Sequence, residues 1–183
     1  MSYLPLNALA ATPISLGAMP RARAMVTTDE GFARAPVRVM FALVADVEAW
    51  PKYLRHYRSV RMISRDGHGG GIVEMNAVRP FGQLGWPTFW RSLMEVDHTK
   101  ATVRFRHIGG LTTGMDVEWT CQDVLRDNPP RRGTAVSLMH VWNGWPVPLL
   151  GSAIAVGVIG PVFVHGIASR TIAGLIRAAE DRT

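Results

Sequence analysis

The run Ala101-Thr102-Val103-Arg104-Phe105-Arg106-His107-Ile108 and the run Met115-Asp116-Val117-Glu118-Trp119-Thr120-Cys121-Gln122-Asp123-Val124 read as two neighbouring strands. In the first, Val103 and Phe105 alternate with Arg104 and Arg106. In the second, Val117, Trp119 and Cys121 alternate with Asp116, Glu118 and Thr120. A period of two places every second side chain on one face, so each run has an apolar and a polar face. Gly109-Gly110 between them is a turn signal, and the pair reads as an antiparallel hairpin.

Working towards the N-terminus, 88–96 is a strand that meets 101–108 across a tight turn at Asp97-His98-Thr99-Lys100. Residues 80–87, with Pro80 and Pro87 at the ends, read as a loop. Residues 72–78 and 59–64 are further strands, separated by the flexible turn Gly67-His68-Gly69-Gly70-Gly71. Working towards the C-terminus, Asn128-Pro129-Pro130-Arg131-Arg132-Gly133 is an exposed loop and 134–142 is the last strand. Hairpins at this spacing make an antiparallel meander.

Ahead of the meander lie one more strand, 25–32, and two short helices. Pro36 suits a first helical turn, and Val37, Met40, Phe41 and Val44 follow on one face at i, i+3, i+4 and i+7. Asp46 is placed to cap a second helix over 47–53 that contains Trp50-Pro51. Behind the meander, 133–169 contains no Asp, Glu, Lys or Arg. Its prolines and glycines argue against a membrane span, and a helix buried along the sheet explains the apolar run. Beyond Arg170 the pattern is amphipathic, with Ile172, Leu175, Ile176 and Ala179 on one side.

The expected organisation is an N-terminal arm, 1–24, and one domain, 25–183. The arm lacks a positive leading region and its prolines interrupt any apolar helix, so it reads as flexible or partner-bound rather than as a signal peptide. The fold class is α+β: a seven-stranded curved antiparallel sheet, two short helices after the first strand, and a long C-terminal helix. Such a sheet must bury one face, and one helix cannot fill its concave side. The remaining volume is an apolar cavity with a few polar groups.

Composition narrows the partners. Lys and Arg number 20 against 14 Asp and Glu, a net charge of +6. The arginines are scattered through strands, and no nucleic-acid-binding signature accompanies them. The single cysteine, Cys121, excludes an intrachain disulfide. The six histidines show no helical i, i+4 pair, so no metal site is expected, and no cofactor is implied. No phosphate loop or nucleophile elbow is present.

The segment Asp46-Val47-Glu48-Ala49-Trp50-Pro51-Lys52-Tyr53-Leu54-Arg55-His56-Tyr57 resembles the Asp-(Ile/Val)-Glu-x-Trp-Pro segment of bacterial aromatase/cyclases in the START-like superfamily. Thr102-Val103-Arg104 with Met115-Asp116-Val117-Glu118-Trp119 resembles the paired strands of those proteins, and 161–180 their closing helix. The resemblance covers about 25–182 and implies the helix-grip fold. It also implies that a cavity arginine and a tyrosine act on a polyketide. Arg79 of Val78-Arg79-Pro80 and Tyr57 match those positions. A fixed guanidinium or phenol would stabilise the enolate of an aldol cyclisation. The alternative is that Tyr57 packs at the sheet edge and Arg79 is a solvated strand-end residue.

Trp50, Trp90, His107, Trp119, His140 and Phe163 are expected at the ligand site. Alternation turns Trp119 inward and Glu118 outward, and it puts His140 on the inner face with Leu138 and Trp142. Arg91 is a further polar strand residue. Trp86 and Trp145, each followed by proline, suit a cavity rim or, beside Arg131 and Arg132, a membrane surface. Three functions remain open: a carrier of an apolar molecule (quinone, lipid or polyketide-like), a polyketide cyclase/dehydrase-like enzyme, and a non-catalytic accessory subunit docked on a membrane complex through the arm and basic surface. The expected location is cytoplasmic, peripheral to a membrane where the loop tryptophans engage one.

Overall fold

The computed structural model describes residues 12–21, 25–81, 84–126, 131–143 and 164–183, without the side chains of 79–81, 84, 86 and 131. Seven strands run β1 Met25–Ala33, β2 Tyr57–Arg65, β3 Gly71–Phe81, β4 Leu84–Asp97, β5 Thr102–Gly110, β6 Asp116–Arg126 and β7 Arg131–Trp142. They form one antiparallel sheet in the order β1-β7-β6-β5-β4-β3-β2. Helix α1 is Val37–Ala45, a 3-10 turn Val47–Ala49 leads into α2, Trp50–Tyr53, and α3 is His165–Glu180. The expected helix-grip architecture forms, with α1, α2 and α3 on the concave face.

Three local expectations are corrected. Residues 80–87 are not a loop: β3 continues to Phe81 and β4 starts at Leu84. Pairing of β2 with β3 stops at Tyr57↔Ala77, and pairing of β5 with β4 stops at Trp90↔Gly110. Beyond those points, apart from the Val78 N–H donating to the His56 carbonyl at 2.7 Å, β3 and β4 pair only with each other among the described residues, so Pro80 and Pro87 sit where a missing N–H disrupts no third strand. Gly109-Gly110 is likewise not a turn but the end of β5; the chain turns at 111–114. Gly110, at φ 95°, lets β4 pass close, since a Cβ there would lie 2.2 Å from the Phe89 carbonyl oxygen. Asp46 takes the N-cap position but makes no side-chain capping bond; its carbonyl accepts from the Ala49 N–H at 3.1 Å.

The core lies between the sheet and the helices. Met40, Leu43 and Val44 of α1 and Ile172, Leu175 and Ala179 of α3 are buried against inward residues such as Val103, Phe105 and Val136. Helix α3 crosses β1 at Gly31, where a Cβ would stand 2.6 Å from Ile176 Cδ1 and 2.7 Å from Ile172 Cγ2. The expected helical stretch before 164 lies outside the described residues.

The outer face of the sheet is polar and partly covered. Glu95, Arg104 and Glu118 are cross-strand neighbours, and Arg104 lies 3.7 Å from Glu95 and 3.4 Å from Glu118. Residues 12–21 of the arm run over them. The Ile14 N–H donates to Asp66 at 3.0 Å and the Leu16 N–H to Glu95 at 2.9 Å. Arg106 donates to the Leu16 carbonyl at 3.3 Å, and Arg104 donates to that of Gly17. Leu16 and Arg104 are both buried. Among the described residues, no helix is long and apolar enough to cross a membrane.

Candidate functional site: a cavity between the sheet and the closing helix

Between the concave face and the first turns of α3 lies a cavity of about 60 Å³. At about 10–15 Å³ for each water position, that is room for a few waters. Its roof is Val164, Ile167, Ala168 and Thr171. Its floor is formed by inward positions of six strands, among them Tyr57, Met75, Trp90, Phe105, His107, Val117, Trp119, Leu138 and His140. Alternation along each strand selects them.

Trp50 organises the aromatic wall. Its indole N–H donates to the Leu43 carbonyl at 3.0 Å, which fixes the ring between α1 and the sheet. The ring meets Tyr57 edge-on at 5.2 Å between centroids, Trp119 at 5.9 Å and Phe105 at 6.4 Å. Tyr57 in turn meets Trp90 at 5.9 Å, and Trp90 stacks on His107 at 6.0 Å. Edge-to-face pairs of this kind stabilise by about 0.5–1.5 kcal/mol beyond burial.

The polar groups come in pairs. His107 Nδ1 is 2.6 Å from Thr112 Oγ1. His56 Nε2 is 3.0 Å from Thr171 Oγ1, and that hydroxyl donates to the Ile167 carbonyl at 2.9 Å. A hydroxyl has one proton, so His56 Nε2 is the donor to Thr171. Chemically, the site offers aromatic faces and a few hydrogen-bonding groups. Among the described residues, no three or more His, Cys, Asp or Glu side chains are arranged to hold a metal ion.

The structure brings Trp50, Tyr57, Trp90, His107, Trp119 and His140 together around this cavity. Arg79 lies in β3 opposite Trp86, but the side chains of both are outside the described residues, as are Phe163 and Trp145. Glu118 points outward to Arg104, and Arg91 points outward to Glu74 at 2.8 Å. Trp142 is core, donating from its indole to the Thr113 carbonyl at 2.9 Å. Sequence reasoning missed His56, Thr112 and Thr171. Thr171, four residues after Ile167 in the amphipathic run, carried a usable signal; Thr112 sits in a turn and carried none.

The model of the polyketide cyclase / dehydrase and lipid transport family matches residues 34–160. No curated protein sequence gives a significant match. Among solved structures, a protein of Thermus thermophilus superposes with a TM-score of 0.62 at 20% identity, covering 86% of this chain and 96% of that one. The Zhui aromatase/cyclase of a Streptomyces species superposes with a TM-score of 0.61 at 13% identity, over 86% and 94%. A START superfamily protein of Mycobacterium smegmatis gives 0.58 at 16% identity, over 86% and 95%. At these identities the likeness is one of fold.

Proposed function

Because this chain belongs to the START-like polyketide cyclase / dehydrase and lipid transport family, we propose that it binds an apolar, ring-bearing small molecule between its sheet and α3. The observation that carries this reading is the aromatic wall of Trp50, Tyr57, Trp90, Phe105 and Trp119 around a cavity that also presents His107, His140, Thr112 and Thr171. Packed aromatic faces with a few polar groups suit a polyketide-like or quinone ring better than a bare acyl chain. A cavity of about 60 Å³ is too small for such a ring, so in this reading the turns of α3 that carry Val164–Thr171 lift on binding. Residues 25–183 act as the binding domain, and 1–24 is an accessory arm.

A catalytic reading attaches to Tyr57, whose ring lines the cavity, with Arg79 as its partner. In that reading the phenol and the guanidinium hold the developing enolate of a cyclising polyketide. Arg79→Ala then lowers turnover sharply with little change in melting temperature; equal loss of both returns Arg79 to a structural role.

The test of ligand binding is native mass spectrometry of protein purified from its own host. A co-purified aromatic or quinone-type molecule supports the proposal. An empty cavity in a protein that migrates with a large membrane complex replaces it with the accessory-subunit reading.

A further inference from the structure

Strand β1 turns Met25, Thr27, Asp29, Gly31 and Ala33 inward, under the first turns of α3. Thr27 pairs with His140 and Asp29 with Leu138 on β7, and both partners line the cavity. Thr27 and Asp29 therefore stand one strand beyond the cavity wall, on the same face and about 6.6 Å apart along the strand (two rises of about 3.3 Å). His165, in the first turn of α3, reaches Asp29: its Nδ1 is 2.6 Å from Oδ1.

That contact satisfies one carboxylate oxygen. The other, Asp29 Oδ2, is buried without a hydrogen-bond partner among the described residues, and so is Thr27 Oγ1. Asp29 is only 4% exposed. Buried polar atoms in native proteins are almost always paired, because an unmet one carries its full desolvation cost. Burial pushes the Asp29 carboxyl above its ordinary value despite the attraction of His165. The ionised side chain thus works against folding where it stands, and neither packing nor the His165 contact accounts for the two unmet atoms.

We infer that Thr27 and Asp29 form the polar end of the ligand site and accept hydrogen bonds from hydroxyl groups of a phenolic ring. A carboxylate oxygen can only accept, so the matching group must donate. The aromatic wall takes the ring; Thr27 and Asp29 on β1 take its hydroxyl. His165 covers Asp29, and lifting the first turn of α3 opens the Thr27–Asp29 pair to the cavity. The inference rests on the ligand-binding reading above and adds the chemical class of the ligand.

Equilibrium dialysis with 2-naphthol and 2-methylnaphthalene tests it, since the two probes differ by a hydroxyl in place of a methyl. Wild-type protein should hold 2-naphthol about tenfold or more tightly than its methyl counterpart, as expected for a hydrogen bond to a charged acceptor. Asp29→Asn and Thr27→Val, both close in shape to the original residues, should narrow that ratio. Each should leave affinity for 2-methylnaphthalene within about twofold, as expected where the apolar contacts of the probe are unchanged. Equal binding of both probes to wild type, or a ratio unchanged in both variants, overturns the hydroxyl anchor while the cavity reading stands. Binding of neither probe overturns the cavity reading and the anchor with it.

Discussion

His56 Nε2 donates to Thr171 Oγ1 at 3.0 Å, tying the chain just before β2 to the middle of α3. Beside the His165–Asp29 contact it is a second polar tie on the half of α3 that roofs the cavity. Thr171→Val keeps the shape and removes the hydroxyl. The variant should lose about 1 kcal/mol in urea unfolding, the usual net value of one hydrogen bond. Amide exchange over 164–172 should accelerate more than over 173–180. Uniform exchange along the helix would show that this contact does not pin the roof.

Trp50 joins a buried hydrogen bond to three ring contacts. Trp50→Ala should destabilise by about 3–5 kcal/mol, in the range for large aromatic truncations. Trp50→Phe should cost less, because it keeps an edge for Tyr57 and loses only the indole N–H and part of the volume. Chemical denaturation ranks the two; equal stabilities would contradict the organising role of the indole.

At Gly31, α3 packs close against β1. Gly31→Ala places a methyl within 2.7 Å of both Ile172 and Ile176, and overpacking of this kind costs about 1–3 kcal/mol. Ile176→Val removes the Cδ1 atom that makes the shorter contact. The double variant should therefore be more stable than the sum of the single losses, because contacting sites couple. Simple additivity would mean that the helix shifts freely.

Asp66 anchors the arm. Burial alone would raise its carboxyl, but N–H groups of Ile14, His68 and Gly70 outweigh that and hold it below the ordinary value. A depressed folded-state pKa contributes stability that is present above the unfolded value, near 3.8, and lost as pH falls through the folded value. Asp66→Asn should lower stability at pH 7 and flatten the acid limb below about pH 4. Trypsin should also cut sooner after the exposed Arg21, because the arm has lost one of its contacts to the sheet. An unchanged cleavage rate would show that Leu16 and Arg104 suffice to hold it.

Cys121 points into the core from β6, and burial pushes its thiol up to about 12. The thiolate is the reactive form. A disulfide reagent at pH 8 should leave native protein unlabelled and label it stoichiometrically in denaturant. Rapid labelling of the native state would reveal local opening of β6.

Much of the sheet was readable because its signals are local. Alternation in 101–108 and 115–124 gave the inward set Val103, Phe105, His107, Val117 and Trp119, all of them buried. The same rule turned Glu118 out and His140 in. Where pairing depends on strands far away in sequence, local signals misled. Pro80 and Pro87 looked like loop punctuation, and only the early end of β2 and β5 makes their places in a two-stranded ribbon harmless. Gly109-Gly110 looked like a turn because glycine's use in letting another backbone pass leaves no separate mark in sequence.

The chain's own pattern fixed the element order, the faces of the strands and the aromatic character of the concave side, since each follows from periods of two or 3.6 residues. Packing in three dimensions set the rest. It put Trp50 among Tyr57, Phe105 and Trp119, laid residues 12–21 over Arg104, and brought His165 onto Asp29 across more than a hundred residues. Such contacts depend on strand register and on the angle at which α3 crosses β1. Neither is written in any single segment, because both arise from fitting all the faces together at once.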